Sequence, residues 1–246
     1  MIARRVVAIA TTALFVLAPT VAGASWLVTA VVGSDADAAG IPVPFDQRIW
    51  MTFRGPTTTY PPAGMILSYA SYAAFRIDAP KMQPTCAIPD PATCIEATTV
   101  MFDIESWRFT PHAERTGKSR PYRYMRRFVS VAHAYGLKVG LCPSMRWLPG
   151  GQSQSSAALR VRADWFVIQL YIPGGRDLSD QVRVITAGFH GPVYFKLAAI
   201  PTHDMPYLLS EWRTVRHFTS NFVVWGGRPK QPDSVQVALD FLRRFM

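Results

Sequence analysis

Two carboxylates end an otherwise apolar run in the stretch VMFDIESW, residues 100–107. If this run is a β-strand, its side chains alternate between two faces, so Met101, Asp103 and Glu105 share one face. Acidic side chains are seldom buried unless they are paired. Two acids on one face of a buried strand therefore indicate either a functional site or a structural ion pair.

The spacing of the two acids suits general acid catalysis. Their β-carbons would lie roughly 7 Å apart, close enough for the charge of one carboxylate to raise the pKa of the other. A carboxyl group that stays protonated near neutral pH can donate a proton to a leaving oxygen, as the acid of a glycoside hydrolase does. We expect Glu105 to be the catalytic acid and Asp103 to orient and tune it. In the structural alternative, Asp103 pairs with Lys196 or with an arginine in the barrel interior, and Glu105 caps a loop.

The elements that would hold these acids alternate between strands and helices. Near-continuous apolar runs, typical of parallel strands buried on both faces, predict strands at Ile49–Phe53, Met65–Tyr69, Thr99–Glu105, Lys138–Cys142, Trp165–Tyr171, Val193–Ala198 and Phe222–Trp225. Apolar residues at helical spacing predict helices at Pro121–Tyr135, Asp177–Phe189, Met205–His217 and Ser234–Phe245.

This alternation predicts a compact α/β fold, a (β/α)8-type, TIM-like barrel with seven or eight strands. The rival doubly wound sheet lacks its phosphate-binding fingerprints, because neither G-x-G-x-x-G after the first strand nor G-x-x-x-x-G-K-[ST] anywhere is present.

Barrels of this kind place their chemistry at the carboxyl ends of the strands. These ends are rich in polar and aromatic side chains that can stack on a sugar ring or bind its hydroxyl groups. The loop after the acid strand adds Trp107 and Glu114. The predicted substrate-binding residues are Tyr69, Trp107, Glu114, Gln169, Tyr171, Lys196 and Trp225.

The amino terminus resembles an export segment. Arg4 and Arg5 precede an uncharged stretch from Val6 to Val32, which is the pattern of a signal peptide or of an uncleaved anchor. Two small-x-small cleavage patterns follow, at residues 22–24 and 36–38, and we favour the second. Residues 1–38 are thus predicted to be the export segment and residues 39–246 a single barrel domain, secreted or otherwise outside the cytoplasm.

The cysteines agree with an oxidising compartment. Cys86 and Cys94 flank a short proline-rich loop and are predicted to form a disulfide. Cys142 lies in an apolar run and is expected to be a small buried side chain. Because no C-x-x-C pair and no Cys/His ligand spacing occurs in the sequence, we predict no metal site and no cofactor.

The chain is strongly basic. Its 246 residues carry a formal net charge of +10 at pH 7, with 49% hydrophobic and 17% charged residues, as expected of a globular domain. Such a charge favours anionic partners, an acidic glycan or another envelope polymer, although solubility alone would also explain it. The arginines are dispersed, so nucleic acid is not an expected partner. We expect a monomer that meets the membrane only through its N-terminal segment, if that is uncleaved.

Several stretches together resemble a group of exported bacterial barrel proteins without an assigned activity, from about residue 60 to the end. These stretches are FDIESW, FTPHAE, CPS, IQLY and VALDFLRRF. More distantly, the D-x-E of Asp103 and Glu105, followed two strands later by a strand ending in Tyr, resembles family-18 chitinases. That resemblance implies that Glu105 is the general acid and that an acetamido group of the substrate replaces a second carboxylate. The chitinase pattern has a further Asp where this chain has Met101.

These observations predict an exported protein, similar to glycoside hydrolases, that acts on a cell-envelope or extracellular glycan through general acid catalysis. The alternative is a catalytically silent barrel that binds an anionic glycan or an envelope partner through its basic surface and aromatic mouth.

Overall fold

Eight parallel strands close into a barrel, which confirms the predicted fold class. The computed structural model describes residues 25–52, 62–87, 92–105, 108–116, 120–144, 161–169, 189–200, 203–226 and 232–246. The barrel strands are β1 (Ser25–Thr29), β2 (Arg48–Thr52), β3 (Ile66–Tyr69), β6 (Thr99–Phe102), β7 (Lys138–Leu141), β8 (Trp165–Gln169), β9 (Val193–Ala198) and β10 (Asn221–Trp225). They are hydrogen-bonded in the order β1-β10-β9-β8-β7-β6-β3-β2, and β2 also pairs with β1. Two short strands, β4 (Met82–Gln83) and β5 (Ile95–Glu96), form a separate sheet.

The described α-helices are α1 (Ala30–Ala38), α2 (Tyr72–Asp78), α3 (His112–Arg115), α4 (Arg120–Ala134), α5 (Met205–Val215) and α6 (Pro232–Phe245). Three of them, α4, α5 and α6, correspond to predicted helices. The predicted helix Asp177–Phe189 lies almost wholly outside the described residues.

One of the eight barrel strands, β1, lies within residues 1–38, which were predicted to be the export segment. In β1, Trp26 is in register with Phe222 of β10, while Val28 is in register with Arg48 of β2. The predicted boundary at residue 39 is therefore wrong for the barrel, because cleavage there would remove a strand from its wall. Val28 and Val32 have no exposed surface, and a strand buried on both faces has the same apolar composition as a signal sequence.

Helix α1 is also joined to the barrel, by an ion pair between Asp37 and Arg48 of β2. The Arg48 guanidinium donates two hydrogen bonds, of 2.7 and 2.6 Å, to the Asp37 carboxylate, and this ion pair holds the pKa of Asp37 below its usual value. The same guanidinium also donates to the Val43 carbonyl oxygen. Asp37 lies inside the favoured cleavage pattern at residues 36–38, so processing there would leave the buried Arg48 without its carboxylate.

Among the described residues, no helix is both long and apolar enough to cross a bilayer.

Side chains alternate strictly between the barrel interior and the helical layer. The interior is filled by a cluster of buried side chains, Leu27, Ile49, Ile66, Met101, Cys142, Trp165, Val167 and Val223. Gly140 makes room for one of them, because a β-carbon at this position would lie 2.2 Å from the indole of Trp165. The outer core joins the strands to the helices, for example where Phe128 of α4 stacks on Phe102 and Phe75.

The predicted disulfide is present in the structure. Cys86 and Cys94 are bonded, with their Cα atoms 6.0 Å apart. They lie just outside the small sheet of β4 and β5, so the bond links the two ends of the loop between these strands.

Candidate functional site

Asp103 and Glu105 continue β6 at the carboxyl end of the barrel, and they share the interior face with Met101. The amide of Asp103 donates to the Tyr69 carbonyl oxygen at 2.9 Å, which extends the β3–β6 pairing by one residue. Phe102 and Ile104 belong to the outer core instead. The strand alternation predicted from the sequence is therefore confirmed by the structure.

Glu105 forms an ion pair across the barrel mouth. The Nζ atom of Lys196, on the interior face of β9, lies 3.4 Å from Glu105 Oε1. The Lys196 side chain is only 2% exposed, whereas that of Glu105 is 14% exposed. Glu105 is thus the member of the pair that a bound molecule would reach.

The same ammonium group lies over an aromatic ring. Lys196 Nζ is 3.9 Å from the ring centroid of Trp225, at the end of β10. At this distance the positive charge is attracted to the face of the indole. Lys196 is therefore held between a carboxylate and an indole, and Trp225 lies beside the acid pair.

Asp103 is fully buried behind Glu105. Gln169 Nε2 is 3.3 Å from Asp103 Oδ1, 3.2 Å from Cys142 Sγ and 3.4 Å from the Cys142 carbonyl oxygen. The other oxygen, Asp103 Oδ2, has no hydrogen-bond partner within the described part of the chain. An ionised carboxylate buried in this position would have too few hydrogen-bond donors around it.

The electrostatics favour a protonated Asp103. Burial is the main cause that raises its pKa to about 7 from the usual 3.8, the positive charge of Lys196 lowers it, and the charge of Glu105 raises it again. Since one ammonium group faces two carboxyl groups, a single proton on the pair makes the buried cluster neutral. This state avoids the cost of burying an unpaired negative charge.

Cys142 is the third buried side chain beside Asp103 and Gln169. Burial, together with the Asp103 charge, raises the pKa of the Cys142 thiol well above its usual value, so the sulfur is a neutral group that can donate weakly to the carboxylate. The sequence identified Cys142 only as a small buried side chain, and it is buried. Its interior position at the end of β7 is the signal that could have assigned it to the site.

Two predicted site residues lie elsewhere. Tyr69 faces the helical layer, where it is fully buried and its hydroxyl donates to Asp78 Oδ2 at 2.9 Å. Since Ser68 occupies the interior position of β3, alternation places Tyr69 on the outer face. The assignment of Tyr69 to the substrate site is therefore corrected.

Glu114 is also a structural residue. Its carboxylate accepts hydrogen bonds from the amides of Tyr72 and Ala73, at 2.8 and 3.2 Å, and from the Ser71 hydroxyl at 3.3 Å. It thereby satisfies free N–H groups at the start of α2, and it is only 3% exposed. The assignment of Glu114 to the substrate site is therefore corrected, because its carboxylate is bonded to the start of α2.

The remaining predicted residues divide into two sets. Gln169, Lys196 and Trp225 lie with the acid pair, as their strand-end positions predicted. Trp107 and Tyr171 lie outside the described residues, so their predicted roles stay predictions. Asp204, in the loop after β9, caps α5 by accepting from the Tyr207 amide at 3.0 Å.

His203 was not predicted to belong to the barrel mouth. Its Nδ1 lies 3.1 Å from the carbonyl oxygen of Ala198, the last residue of β9, and its ring stacks on Tyr207 with the centroids 3.7 Å apart. Its place in the loop that follows β9 is the sequence signal that could have found it.

Comparison with known proteins supports the fold alone. The X-ray crystal structure of the YdjI aldolase from Escherichia coli K12 is similar, with a TM-score of 0.51 and 10% sequence identity over 90% of this chain and 91% of the aldolase chain. No protein-family model matches the sequence. The search of curated proteins also found no match. At this identity the likeness shows a TIM-barrel fold, and the resemblance to family-18 chitinases stays a prediction.

Proposed function

We propose that this protein is a glycoside hydrolase-like enzyme that cleaves a cell-envelope or extracellular glycan by general acid catalysis from Glu105. The observation that carries the proposal is the position of Asp103 and Glu105, which lie on one face of a barrel strand, at its carboxyl end, next to a buried ammonium group. Catalytic groups of this fold class occupy that end of the barrel.

The proton for the reaction is supplied by the acid pair. Burial raises the pKa of Asp103 to about 7, so this carboxyl group carries a proton in a large fraction of the molecules near neutral pH. When a glycosidic oxygen binds at Glu105, this proton passes from Asp103 to Glu105 and then to the leaving oxygen, as the bond from that oxygen to the sugar carbon breaks. Both groups are then carboxylates, with the Gln169 amide beside Asp103 and the Lys196 ammonium beside Glu105, until the water that completes the hydrolysis returns a proton to the pair.

Lys196 and Trp225 support this transfer. After Glu105 has lost its proton, the ammonium group 3.4 Å away is paired with the resulting carboxylate. The indole of Trp225 positions the ammonium, and any free part of this ring can stack on a sugar.

The group that attacks the sugar carbon is proposed to come from the substrate. Among the described residues, the ends of the barrel strands carry no carboxylate besides Asp103 and Glu105, so the pair of opposed carboxylates used by most glycosidases is not formed by these residues. This is consistent with the resemblance to family-18 chitinases, which implies that a 2-acetamido group takes the second role. We therefore expect glycans that contain N-acetylated amino sugars to be the substrates.

The location of the protein is proposed from its sequence. Arg4, Arg5 and the uncharged stretch after them are typical of an export signal, and the disulfide between Cys86 and Cys94 suits an oxidising compartment. Both support a protein that acts outside the cytoplasm.

A non-catalytic barrel that binds an anionic glycan or an envelope partner is the second candidate. It is favoured by the pairing of Glu105 with Lys196, because an ion-paired carboxylate is also a common structural device. This candidate requires binding without turnover.

The release of reducing ends from a panel of glycans, with and without 2-acetamido groups, separates the two candidates. For the enzyme, Glu105→Gln lowers turnover by about 10²–10⁴-fold and leaves binding of the glycan intact. Glu211→Gln is the matched control, because Glu211 is a mostly buried carboxyl group on α5, next to Tyr207, and its pKa is raised to about 7. Binding without turnover on every acetamido glycan, unchanged by Glu105→Gln, would support the second candidate.

A further inference from the structure

Helices α2 and α4 present a basic and aromatic surface on one side of the barrel. Five of its residues are exposed, namely Arg76, Ile77, Arg123, Arg126 and Arg127, and two are half-buried, Tyr72 and Tyr124. We call these seven residues the α2–α4 face.

The two tyrosines join the helices. Their rings contact edge to face, with the centroids 5.7 Å apart. Arg76 lies over the ring of Tyr72 at 6.0 Å, and Arg127 lies over that of Tyr124 at 5.7 Å. The guanidinium groups are therefore held beside an aromatic pair.

Within the described part of the chain, no carboxylate neutralises the positive charge of this face. The described parts of α2, α3 and α4 contain two acidic residues, Asp78 and Glu114, and both are buried. Asp78 accepts from Tyr69 and lies 3.7 Å from Lys81, while Glu114 caps α2. No described carboxylate forms an ion pair with the four arginines of the face.

An apolar side chain projects from the same surface. Ile77, next to Arg76 on α2, is 53% exposed and is one of only four large hydrophobic side chains exposed in the described part of the chain. An apolar residue beside tyrosines and arginines matches the composition of surfaces that lie at a bilayer interface, where aromatic rings sit at headgroup depth and basic groups meet anionic lipids. A soluble acidic glycan would use the arginines but would gain little from Ile77.

We propose that the α2–α4 face docks the barrel on a bilayer that contains anionic phospholipids. The arginines bind the headgroup phosphates, the tyrosines lie at headgroup depth, and Ile77 enters the boundary of the acyl chains. The barrel mouth is formed by the strand ends and not by these outer helix surfaces. The inference therefore does not depend on the proposed function.

Vesicle co-sedimentation tests this surface in the full chain. The probes are vesicles of phosphatidylcholine alone and vesicles of phosphatidylglycerol and phosphatidylcholine in equal parts. The variant Arg76→Gln/Arg123→Gln/Arg127→Gln changes the face. The control variant Arg213→Gln/Arg216→Gln/Arg244→Gln removes the same charge from exposed positions on α5, directly after α5 and on α6. Because each basic residue near an anionic surface contributes about a fivefold increase in binding, we expect the first variant to bind the anionic vesicles about 100-fold more weakly. The second variant should stay close to the unchanged protein.

A second variant tests the apolar contact. Ile77→Ser should weaken binding to the anionic vesicles by roughly 10-fold, because the burial of a large apolar side chain is lost. Circular dichroism verifies that each variant is folded. The proposal is overturned if the two arginine variants bind equally, or if binding does not depend on the anionic lipid. It is also overturned if the first variant loses binding to soluble polygalacturonate but keeps its binding to vesicles, since the partner would then be an acidic polymer.

Discussion

Lys196 Nζ lies 3.4 Å from Glu105 Oε1, although the two residues come from strands separated by β7 and β8. This ion pair crosses the mouth of the barrel and brings a buried positive charge to a pair of carboxyl groups. The ammonium group lowers the pKa of Asp103, against the larger effect of burial and the effect of the Glu105 charge, which both raise it.

Asp103 makes the stability of the protein depend on pH. Since burial raises its pKa to about 7, the folded protein keeps a proton between about pH 4 and pH 7 that the unfolded chain has released. The free energy of unfolding therefore falls as the pH rises through this range. Asp103→Asn removes this contribution, and we expect it to stabilise the protein at pH 8, relative to pH 4, by on the order of 4 kcal/mol.

Urea denaturation at the two pH values measures this difference. Glu211→Gln should act with the same sign, because burial also raises the pKa of Glu211 to about 7. The two effects should be additive, since the residues lie on different elements and are not in contact. An Asp103→Asn variant that is less stable at pH 8 than at pH 4, relative to the unchanged protein, would contradict this prediction.

Glu114 is expected to contribute to stability and not to turnover. Glu114→Ala removes the acceptor of the Tyr72 and Ala73 amides, so the free energy of unfolding should fall by about 1–3 kcal/mol. Glu114→Gln keeps one acceptor oxygen and should lose less. Chemical denaturation measures the stability of both variants. If a variant remains folded but loses glycan turnover, Glu114 belongs to the substrate site after all.

The N-terminal boundary can be tested by truncation. A chain that begins at Ser25 retains β1 and α1, whereas one that begins at Ala39 lacks both. We expect the first chain to fold cooperatively and the second to lose its fixed tertiary structure, because β2 and β10 would each lose their β1 partner. Near-UV circular dichroism and thermal unfolding separate these outcomes.

The same argument applies to export. If residues 1–24 act as the signal, cleavage at the pattern 22–24 leaves every described element intact, and the exported protein begins at Ser25. Amino-terminal sequencing of the protein recovered outside the cytoplasm checks this. A mature chain that begins at Ala39 would show that the barrel closes without β1.

The strands that carry the site could be predicted from the sequence because their pattern is local. The predicted strand Val193–Ala198 coincides with β9, and the alternation in VMFDIESW was sufficient to assign Asp103 and Glu105 to one face. The strand β1 could not be recognised in this way. A strand buried on both faces and the apolar part of a signal peptide have the same composition, and only pairing with distant partners distinguishes them.

The errors within the site have a similar cause. Tyr69 ends a strand, as a site residue should, but its side chain lies on the outer face of β3. The residues of β3 that face the barrel interior are determined by the register of β3 with its neighbours β2 and β6. Glu114 was assigned by its place after the acid strand. Its actual partners lie 41–43 residues earlier in the chain, and no local pattern could reveal them.

Asp103, beside Lys196 and Glu105, is proposed to keep a proton up to about pH 7 and to supply it to Glu105. Titration of the side-chain carboxyl groups by ¹³C NMR tests it most directly. We predict a carboxyl signal with a midpoint near pH 7 that disappears in Asp103→Asn and remains in Glu211→Gln, and that shifts to higher pH in Lys196→Met because the positive charge that lowers the pKa of Asp103 has been removed. If the signal lost in Asp103→Asn titrates instead near pH 4, Asp103 is an ordinary ionised carboxylate, and the proposed proton supply to Glu105 is wrong.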